Sequence, residues 1–324
     1  MIVVTGGAGF IGSAIVAELN ERGIDDILIV DKLGTDQKWK NLRRLSYADY
    51  AEKNDFLEMV IEDDIGVDFE AVFHLGACSS TTETDASHLV RNNYEYTKLL
   101  AQWTIENDIR FIYASSAATY GDGSQGFDDD ETRIEKLDPL NMYGYSKQMF
   151  DLWARRTDML KSIVGLKYFN VFGPNEYHKG DMRSFVHKSF GQINAGGKVK
   201  LFKSHNPKYK DGEYLRDFIY IKDAVDMTLF FYDNPEIGGL FNIGTGKARN
   251  WNDLVKATFA AMGKKTKIEY LEMPESIRDQ YQYFTQANIT KIRKAGYDKQ
   301  TTPLEETIKD YVQNYLQKGA YLGS

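Results

Sequence analysis

The strongest constraint on the fold is a glycine-rich turn near the start of the chain. Three glycines spaced as Gly6-x-x-Gly9-x-x-Gly12 follow an apolar run with the pattern of a strand and open an amphipathic helix. Such glycines allow a tight turn whose backbone N–H groups, with the positive end of the helix, bind a pyrophosphate. Asp31 follows Gly12 by about 20 residues, at the end of a second predicted strand, where an acid binds a ribose. The pattern therefore predicts a dinucleotide-binding turn.

Apolar runs alternate with helical patterns through the first half of the chain. Strands are predicted at 2–5, 27–30, 71–75, 111–114 and 163–169, and helices at 10–21, 91–106 and 142–156. Strands separated by helices are typical of right-handed βαβ units and a parallel sheet. The predicted fold class is α/β, a doubly wound parallel sheet of the Rossmann type with a smaller mixed α/β substrate lobe.

The second half is more mixed. Residues 1–170, with a return near 216–243, are expected to form the dinucleotide-binding domain. Residues 171–215 and 244–324 are expected to form the substrate-binding lobe. The segment Thr302-Pro303-Leu304-Glu305 has the pattern of a capping box with proline at the first helical position, which predicts a last helix ending near residue 317.

Composition excludes several functional classes. The chain has 324 residues, with 40 Lys and Arg against 47 Asp and Glu, a net charge of −7 that disfavours nucleic-acid binding. No run approaches the ~18 apolar residues of a membrane helix, and no basic segment precedes the first apolar run. The single cysteine, Cys78, excludes an intrachain disulfide. We therefore expect a cytoplasmic protein without nucleic-acid or membrane partners. The histidine spacing predicts no metal site.

A tyrosine and a lysine four residues apart are the predicted catalytic pair. Tyr143 and Lys147 lie one turn apart on the same face of a predicted helix. A nearby ammonium is expected to lower the pKa of the phenol, so that Tyr143 exchanges a proton with a substrate hydroxyl. Ser116 follows a predicted strand, at the edge where open α/β sheets bind ligands, and could hydrogen-bond the reacting oxygen.

The residues near Asp31 leave the choice of dinucleotide open. A carboxylate at this position accepts hydrogen bonds from the ribose of NAD and repels the 2′-phosphate of NADP. However, Lys32, Lys38, Lys40 and Lys53 follow closely, and two or three of these side chains could neutralise a 2′-phosphate.

These motifs resemble the extended short-chain dehydrogenase/reductase family, which acts mainly on nucleotide sugars. Further segments resemble the members that epimerise the heptose of an ADP-linked sugar. They are 74–83, 115–121, 168–174, 178–180, 216–218 and 284–287. The resemblance covers nearly the whole chain, and its most specific parts are Cys-Ser-Ser-Thr-Thr-Glu at 78–83 and His-Lys-Gly at 178–180.

The resemblance implies an activity. It implies inversion of C6 of the heptose in ADP-D-glycero-D-manno-heptose to give the L-glycero epimer, by transient oxidation to a C6 ketone with tightly bound NADP. It also implies a homo-oligomer, a pentamer in the family, and a role in making the lipopolysaccharide core. Tyr143 and Lys147 would be the catalytic pair, and Lys179 a second acid–base group.

The resemblance also implies site residues, which we combine with those of the motifs. Together the two predict that the cofactor contacts Gly6, Gly9, Phe10, Ile11, Gly12, Asp31, Lys32, Lys38, Lys53, Leu75, Gly76, Ala77, Cys78, Ser79, Asn92, Lys147 and Val171. They predict that the sugar nucleotide contacts Ser79, Ser116, Asn170, Lys179, Asp181, Phe202, Arg216 and Tyr281.

Two other functions compete with this one. A C4 epimerase of nucleotide sugars would need the same Ser116, Tyr143 and Lys147. A 4,6-dehydratase is disfavoured, because Ala117 and Ala118 stand where those enzymes carry an acidic pair. A dinucleotide-binding protein without catalysis is disfavoured by the intact Tyr143 and Lys147.

Overall fold

The computed structural model describes residues 1–62, 66–278 and 282–323. The strands are β1 (Ile2–Thr5), β2 (Ile27–Asp31), β3 (Asp49–Glu52), β4 (Ala71–His74), β5 (Arg110–Ser116), β6 (Val164–Tyr168), β7 (Asn170–Phe172), β8 (Val199–Phe202), β9 (Leu215–Arg216), β10 (Phe218–Tyr220), β11 (Gly239–Ile243), β12 (Arg249–Asn250) and β13 (Ile268–Leu271). The helices are α1 (Phe10–Glu21), α2 (Lys53–Glu62), α3 (Ala86–Leu89), α4 (Tyr96–Glu106), α5 (Met142–Arg156), α6 (Phe185–Gly196), α7 (Ile221–Asp233), α8 (Trp251–Ala261), α9 (Glu275–Arg278), α10 (Thr290–Lys294) and α11 (Leu304–Asp310).

A parallel sheet of seven described strands forms the centre of the molecule, in the order β11-β6-β5-β4-β1-β2-β3. Helices cover both of its faces, so the inner strands β1 and β4 are buried along their whole length. Successive residues point to opposite faces: Val4 packs in the core on one side and Val3 in the core on the other. The predicted doubly wound parallel sheet is confirmed.

Three two-stranded sheets lie outside the central sheet. They pair β7 with β10, β12 with β9, and β13 with β8. The first of them is parallel and begins two residues after β6 ends, where Asn170 pairs with Phe218. This sheet therefore continues the chain beyond the carboxyl end of the central strands, where ligands bind in such folds.

Segments with a strong apolar periodicity have the predicted secondary structure, whereas two polar segments were not predicted. The structure has β1, α1 and α5 with the predicted bounds. Strand β3 was not predicted, because its sequence Asp-Tyr-Ala-Glu has no apolar run. It lies at the sheet edge, where its side chains are exposed or half-buried. Helix α2, which follows it directly, buries only Phe56 and Val60 and was missed for the same reason.

The predicted capping box is wrong. Pro303 is the residue that precedes the helix, and no side chain caps its N-terminus. Thr302 instead bonds to Asp223 at the start of α7, with its Oγ1 donating to Oδ1 at 2.9 Å and its N–H to Oδ2 at 3.0 Å. Thr302 thus bonds to a carboxylate of a distant element and not to the N-terminus of the helix that follows it. The helix continues from α11 as a π-helical turn, Tyr311–Leu316.

None of the described helices is long and apolar enough to span a membrane.

Candidate active site

The glycine turn lies between β1 and α1, against the end of β4. Gly6 has φ +67°, and a Cβ there would come within 2.7 Å of the backbone nitrogen of Gly76. Only glycine, which has no Cβ, allows these two loops to approach so closely. Gly6 and Gly9 line the larger of two adjoining cavities, whereas Gly12 packs within helix α1 against Gly6. Glycine at position 6 therefore allows the loop after β4 to pack directly against the turn.

Asp31 ends β2 and is held by three donors. Its Oδ2 accepts from the N–H of Ala8 at 2.9 Å, and its Oδ1 accepts from the N–H of Lys32 and the Nζ of Lys38, both at 2.7 Å. The side chain of Asp31 is buried. Because Lys38 forms an ion pair with it, the repulsion that this carboxylate would exert on a nearby phosphate is partly offset.

The smaller cavity, of about 390 Å³, is rich in cationic side chains. Lys32, Lys38 and Lys53 line it. The Nζ of Lys53 donates to the Oδ1 of Asn92 at 2.5 Å. Burial lowers the pKa of Lys53, and the charges of Lys32 and Lys38 lower it further. Asp31 and Asp36 line the same cavity, so three ammonium groups lie beside two carboxylates there.

The larger cavity, of about 710 Å³, brings together most of the remaining predicted site residues. Predicted residues that line it are Gly6, Gly9, Phe10, Ile11, Asp31, Lys38, Leu75, Gly76, Ala77, Ser79, Ser116, Tyr143, Lys147, Asn170, Val171 and Lys179. Predicted residues that line the smaller one are Gly6, Asp31, Lys32, Lys38, Lys53, Gly76, Ala77, Cys78 and Asn92. The shared residues make the two cavities continuous.

Tyr143 is positioned by the start of α5. The side chain of Asn141 caps this helix by accepting from the N–H of Gly144 at 2.8 Å. A Cβ at Gly144 would lie 2.7 Å from the carbonyl oxygen of Ala118, so glycine lets the helix approach the segment that follows β5. That segment carries Ser116, whose hydroxyl accepts from the N–H of Ala118 at 3.1 Å. The tight packing places Tyr143 and Ser116 in one cavity wall.

The pKa values of the Tyr–Lys pair are governed by burial. Burial raises the pKa of Tyr143, and the Ser116 hydroxyl lowers it in part. Burial lowers the pKa of Lys147 to about 8, while the carboxylate of Asp151 raises it. The Nζ of Lys147 donates to the carbonyl oxygen of Ala114 at 2.8 Å. The prediction that the pKa of Tyr143 is lowered is therefore wrong for this structure, because loss of hydration dominates.

Lys179 reaches the same cavity from a different element, the 3₁₀-helical turn Tyr177–Met182. Its Nζ lies 5.1 Å from the centre of the Phe10 ring, within the range of a cation–π contact. Burial lowers the pKa of Lys179, and the nearby carboxylate of Glu176 raises it. A lysine in such a loop is usually exposed, but here it is half-buried beside the dinucleotide turn.

Glu176 holds the beginning of that turn. It is fully buried and accepts from the N–H and the Oγ of Ser184, at 2.5 and 2.6 Å, and from the hydroxyl of Tyr311 at 2.9 Å. Asn175, which precedes it, donates to the Oγ of Ser13 at 2.9 Å. The support of Lys179 thus comes from α1, α6 and the C-terminal helix.

Some predicted substrate contacts lie elsewhere. Asp181, Phe202 and Arg216 are not among the described residues that line the two cavities. Asp181 is exposed, and its carbonyl oxygen accepts from Lys188 at 2.6 Å. Arg216 is buried and donates to the carbonyl oxygens of Leu215 and Gln282. Tyr281 lies outside the described residues. All four roles stay predictions.

The cavity also contains residues that sequence reasoning missed. Ser80 and Thr81 line it beside Ser79, and they belong to the same Cys-Ser-Ser-Thr-Thr-Glu segment, which could have signalled them. Arg183 and Lys188 add two cations. Trp251, at the start of α8, packs against Phe185 and Phe218 with ring centres 5.0 and 5.4 Å away. No local pattern marks it, because only the tertiary fold brings this residue to the cavity.

Known proteins share this arrangement. The NAD dependent epimerase/dehydratase family matches residues 2–244. The chain belongs to this family. One relative, "ADP-L-glycero-D-manno-heptose-6-epimerase" of Nitratidesulfovibrio vulgaris, is 54% identical over 316 residues, which cover 98% of each chain. The predicted family resemblance is thereby confirmed, and the members of this family use a nicotinamide dinucleotide.

Two solved structures of the family are also similar. The ADP-L-glycero-D-manno-heptose-6-epimerase of Helicobacter pylori superimposes with a TM-score of 0.81 at 29% identity, over 97% of this chain and 95% of that one. A UDP-glucose 4-epimerase of Thermotoga maritima superimposes with a TM-score of 0.79 at 28% identity, over 98% and 99%. The scaffold is therefore common to sugar epimerases that differ in the carbon they invert.

Proposed function

We propose that the chain inverts C6 of the heptose in ADP-D-glycero-D-manno-heptose, giving the L-glycero epimer. One observation carries this proposal: two separate proton-handling groups, Tyr143 with Lys147 on α5 and Lys179 on the Tyr177–Met182 turn, face one cavity beside the dinucleotide turn. Acid–base groups in two places suit a C6 epimerisation, because the ketone turns before the hydrogen returns to its other face. The 54% identity to a heptose 6-epimerase supports the substrate.

The residues of the glycine turn fit a bound dinucleotide. A Cβ at Gly6 would fill the space against Gly76, and Asp31 lies at the end of β2 with its carboxylate fixed by Ala8. A dinucleotide held there would supply reversible hydride transfer at the substrate carbon. Phe10, Ile11 and Val171 would cover it, and Lys147 would hydrogen-bond its nicotinamide ribose.

The chain moves the protons of the reaction. Tyr143 Oη exchanges a proton with the C6 oxygen in one orientation of the substrate, and Lys179 Nζ exchanges a proton with it in the other. Ser116 donates a hydrogen bond to the reacting oxygen and keeps it near Tyr143. The lowered pKa of Lys179 leaves a larger neutral fraction of this amine near neutral pH.

We propose NADP rather than NAD as the cofactor. Lys32, Lys38 and Lys53 surround the smaller cavity, next to the carboxylate that marks the adenosine ribose. Lys38 already neutralises part of the charge of Asp31. A 2′-phosphate would therefore meet three ammonium groups. Titrations of the protein with NADP⁺ and NAD⁺ test this choice, and Lys53→Met should weaken NADP⁺ binding at least tenfold and NAD⁺ binding little.

Proton NMR of the purified protein with ADP-D-glycero-D-manno-heptose tests the reaction directly. The cofactor is supplied only in an amount equal to the enzyme. The C6 epimer should appear until a mixture of both epimers is reached, because the cofactor is regenerated in each turnover. An unchanged heptose spectrum with cofactor bound would reject this substrate. Conversion of a UDP-sugar at C4 would support the alternative that the Thermotoga maritima similarity allows.

Two variants test the two acid–base groups. Tyr143→Phe and Lys179→Met should each lower epimerisation ~10²- to 10⁴-fold. Lys264→Met, a change of an exposed lysine that lines neither cavity, is the control and should keep full activity. Full activity in both active-site variants would disprove the use of two groups.

The remaining parts of the proposal rest on the family resemblance. We propose a homo-oligomer, a pentamer, that acts in the cytoplasm in the synthesis of the lipopolysaccharide core. We also propose that residues 1–170 and 216–243 bind the dinucleotide, and that residues 171–215 and 244–324 bind the sugar nucleotide. Light scattering of the purified protein tests the oligomeric state.

A further inference from the structure

A buried polar network lies beneath the wall that β5 and α5 form in the larger cavity. Its centre is the carboxylate of Asp151 on α5, which is fully buried. The Oδ1 of Asp151 accepts from the hydroxyl of Tyr113 at 2.9 Å, and its Oδ2 accepts from the hydroxyl of Ser115 at 2.7 Å. Because both donors belong to β5, one side chain of the helix holds two residues of the strand.

Lys167, on the neighbouring strand β6, extends the network to the segment that follows β5. Its Nζ donates to the Oδ2 of Asp151 at 2.7 Å and to the Oγ1 of Thr119 at 2.8 Å. The hydroxyl of Thr119 in turn donates to the carbonyl oxygen of Ser116 at 2.8 Å. The side chains of Lys167, Asp151 and Thr119 are all buried. The network therefore ends on the backbone of the serine whose hydroxyl is proposed to bind the reacting oxygen.

Helix α5 is joined to β5 through two successive residues of the strand. Lys147 donates to the carbonyl oxygen of Ala114 at 2.8 Å. Asp151, one turn further along the same face of the helix, accepts from the hydroxyl of Ser115. A slide or rotation of the helix relative to the strand would break both bonds. The two bonds thus fix the helix that carries the phenol of Tyr143 relative to the strand that ends in the serine.

A buried ion pair is a costly way to hold a helix against a strand. Apolar side chains of similar volume are often as stabilising or more so, because burying two charges removes their hydration. A fully bonded polar network instead selects one arrangement of its members. We propose that Asp151 and Lys167 are positioning residues, which hold the phenol, the ammonium and the serine hydroxyl of the cavity wall in place for proton exchange. This inference rests on the function proposed above.

The double variant Asp151→Asn, Lys167→Met separates positioning from stability. It removes both buried charges, so it should unfold at a higher urea concentration than Asp151→Asn alone. Its kcat should still be about tenfold or more below that of the parent, because the bonds to β5 and to Thr119 are lost or weakened and misplaced groups exchange protons slowly. The KM for the sugar nucleotide should stay within about threefold of the parent value. A double variant that recovers both stability and kcat would overturn the proposal.

A milder variant leaves both buried charges in place. Thr119→Val removes the link between Lys167 and the carbonyl oxygen of Ser116, and it should lower kcat about fivefold without a comparable change in KM. Thr104→Val is the matched control, because Thr104 is an equally buried threonine in α4 that lines neither cavity. The control should keep the kcat of the parent. Equal kcat values in the two threonine variants would overturn the role of Lys167.

A measurement without substrate keeps this proposal separate from the epimerase reaction. Competitive labelling of amines with acetic anhydride, followed by mass spectrometry of the peptide that contains Lys147, gives the pH midpoint of this amine in the full chain. The groups that face Lys147 are Asp151 and Tyr143 on its own helix, His74 in β4 and Cys78 in the loop after β4. Of these, the carboxylate of Asp151 raises the pKa of Lys147, which burial lowers to about 8.

The midpoint should therefore move to lower pH in Asp151→Asn and in the double variant, and stay in place in Thr104→Val. An unmoved midpoint in both Asp151 variants would overturn the proposal. A moved midpoint in a protein that leaves the heptose unchanged would support the positioning of Lys147 and reject the proposed reaction alone. Urea denaturation of each variant shows whether the fold is retained.

Discussion

Lys147 and Lys179 face one cavity, but they are held in very different ways. Lys147 lies in the 15-residue helix α5, and its ammonium donates to a backbone carbonyl at the end of the sheet. Lys179 lies in a six-residue 3₁₀ turn that has Gly180 in a left-handed conformation, with φ +54°. Regular backbone positions the first lysine, whereas side chains from distant elements position the second. The comparison indicates that the two should respond differently to mutation.

Removing each ammonium should have the largest effect. Lys147→Met should lower kcat ~10²- to 10⁴-fold and also weaken dinucleotide binding, because the proposed mechanism gives Lys147 a role toward both the phenol and the nicotinamide ribose. Lys179→Met should lower kcat by a similar factor and leave dinucleotide affinity within about threefold of the parent. Stopped-flow binding and steady-state rates measure the two quantities. Equal losses of dinucleotide affinity in both variants would contradict the expected difference between the two lysines.

The support of α5 should be the next most sensitive feature. Asp151 is fully buried and accepts from Tyr113, Ser115 and Lys167, the last at 2.7 Å. Asp151→Asn leaves the ammonium of Lys167 buried without a counter-charge, which should cost about 3–5 kcal/mol of unfolding free energy. Urea denaturation measures this cost.

The double variant Asp151→Asn, Lys167→Met is the control for that experiment. It removes both charges, so it should be more stable than Asp151→Asn alone. A double variant no more stable than the single one would show that the pair is not the source of the loss.

The supports of α5 and of Lys179 also show which features the sequence could predict and which it could not. The pattern of Tyr143 and Lys147 is local, because four residues along a helix define one face. The glycine turn and Asp31 are local in the same sense. By contrast, the role of Glu176 depends on hydrogen bonds from Ser184 and from Tyr311, which lies far along the chain.

Local patterns therefore predicted the sheet and the α5 wall of the cavity, whereas Lys179 was predicted by resemblance alone. The wrong capping box at Thr302 has the same cause. A local motif was present, but a distant carboxylate competed for its hydroxyl.

The charge of Glu176 gives a smaller and more specific prediction. Burial raises the pKa of Glu176, and its carboxylate in turn raises the pKa of Lys179. Glu176→Gln removes this attraction, so the pKa of Lys179 should fall further below its ordinary value. The limb of the kcat/KM profile that reports Lys179 should then move to lower pH. An unmoved limb, in a folded variant, would show that Glu176 acts only as a structural anchor.

Tyr311→Phe should have the smallest effect. It removes one of the three hydrogen bonds to Glu176 and keeps the carboxylate, so stability should fall by about 1 kcal/mol. The kcat/KM profile should keep the pH dependence of the parent. A shift as large as that of Glu176→Gln would mean that the bond to Tyr311, rather than the charge, sets the pKa of Lys179.

The contacts of the last described residues connect the end of the chain to the segment that carries Lys179. The N–H of Leu322 donates to Oδ1 of Asn175 at 3.0 Å, and the hydroxyl of Tyr177 donates to the carbonyl of Ala320 at 2.8 Å. The end of the chain therefore braces the segment that precedes Lys179, whereas residues near the start of the chain form the dinucleotide turn. Loss of these two bonds should loosen the Lys179 segment and leave the dinucleotide turn in place.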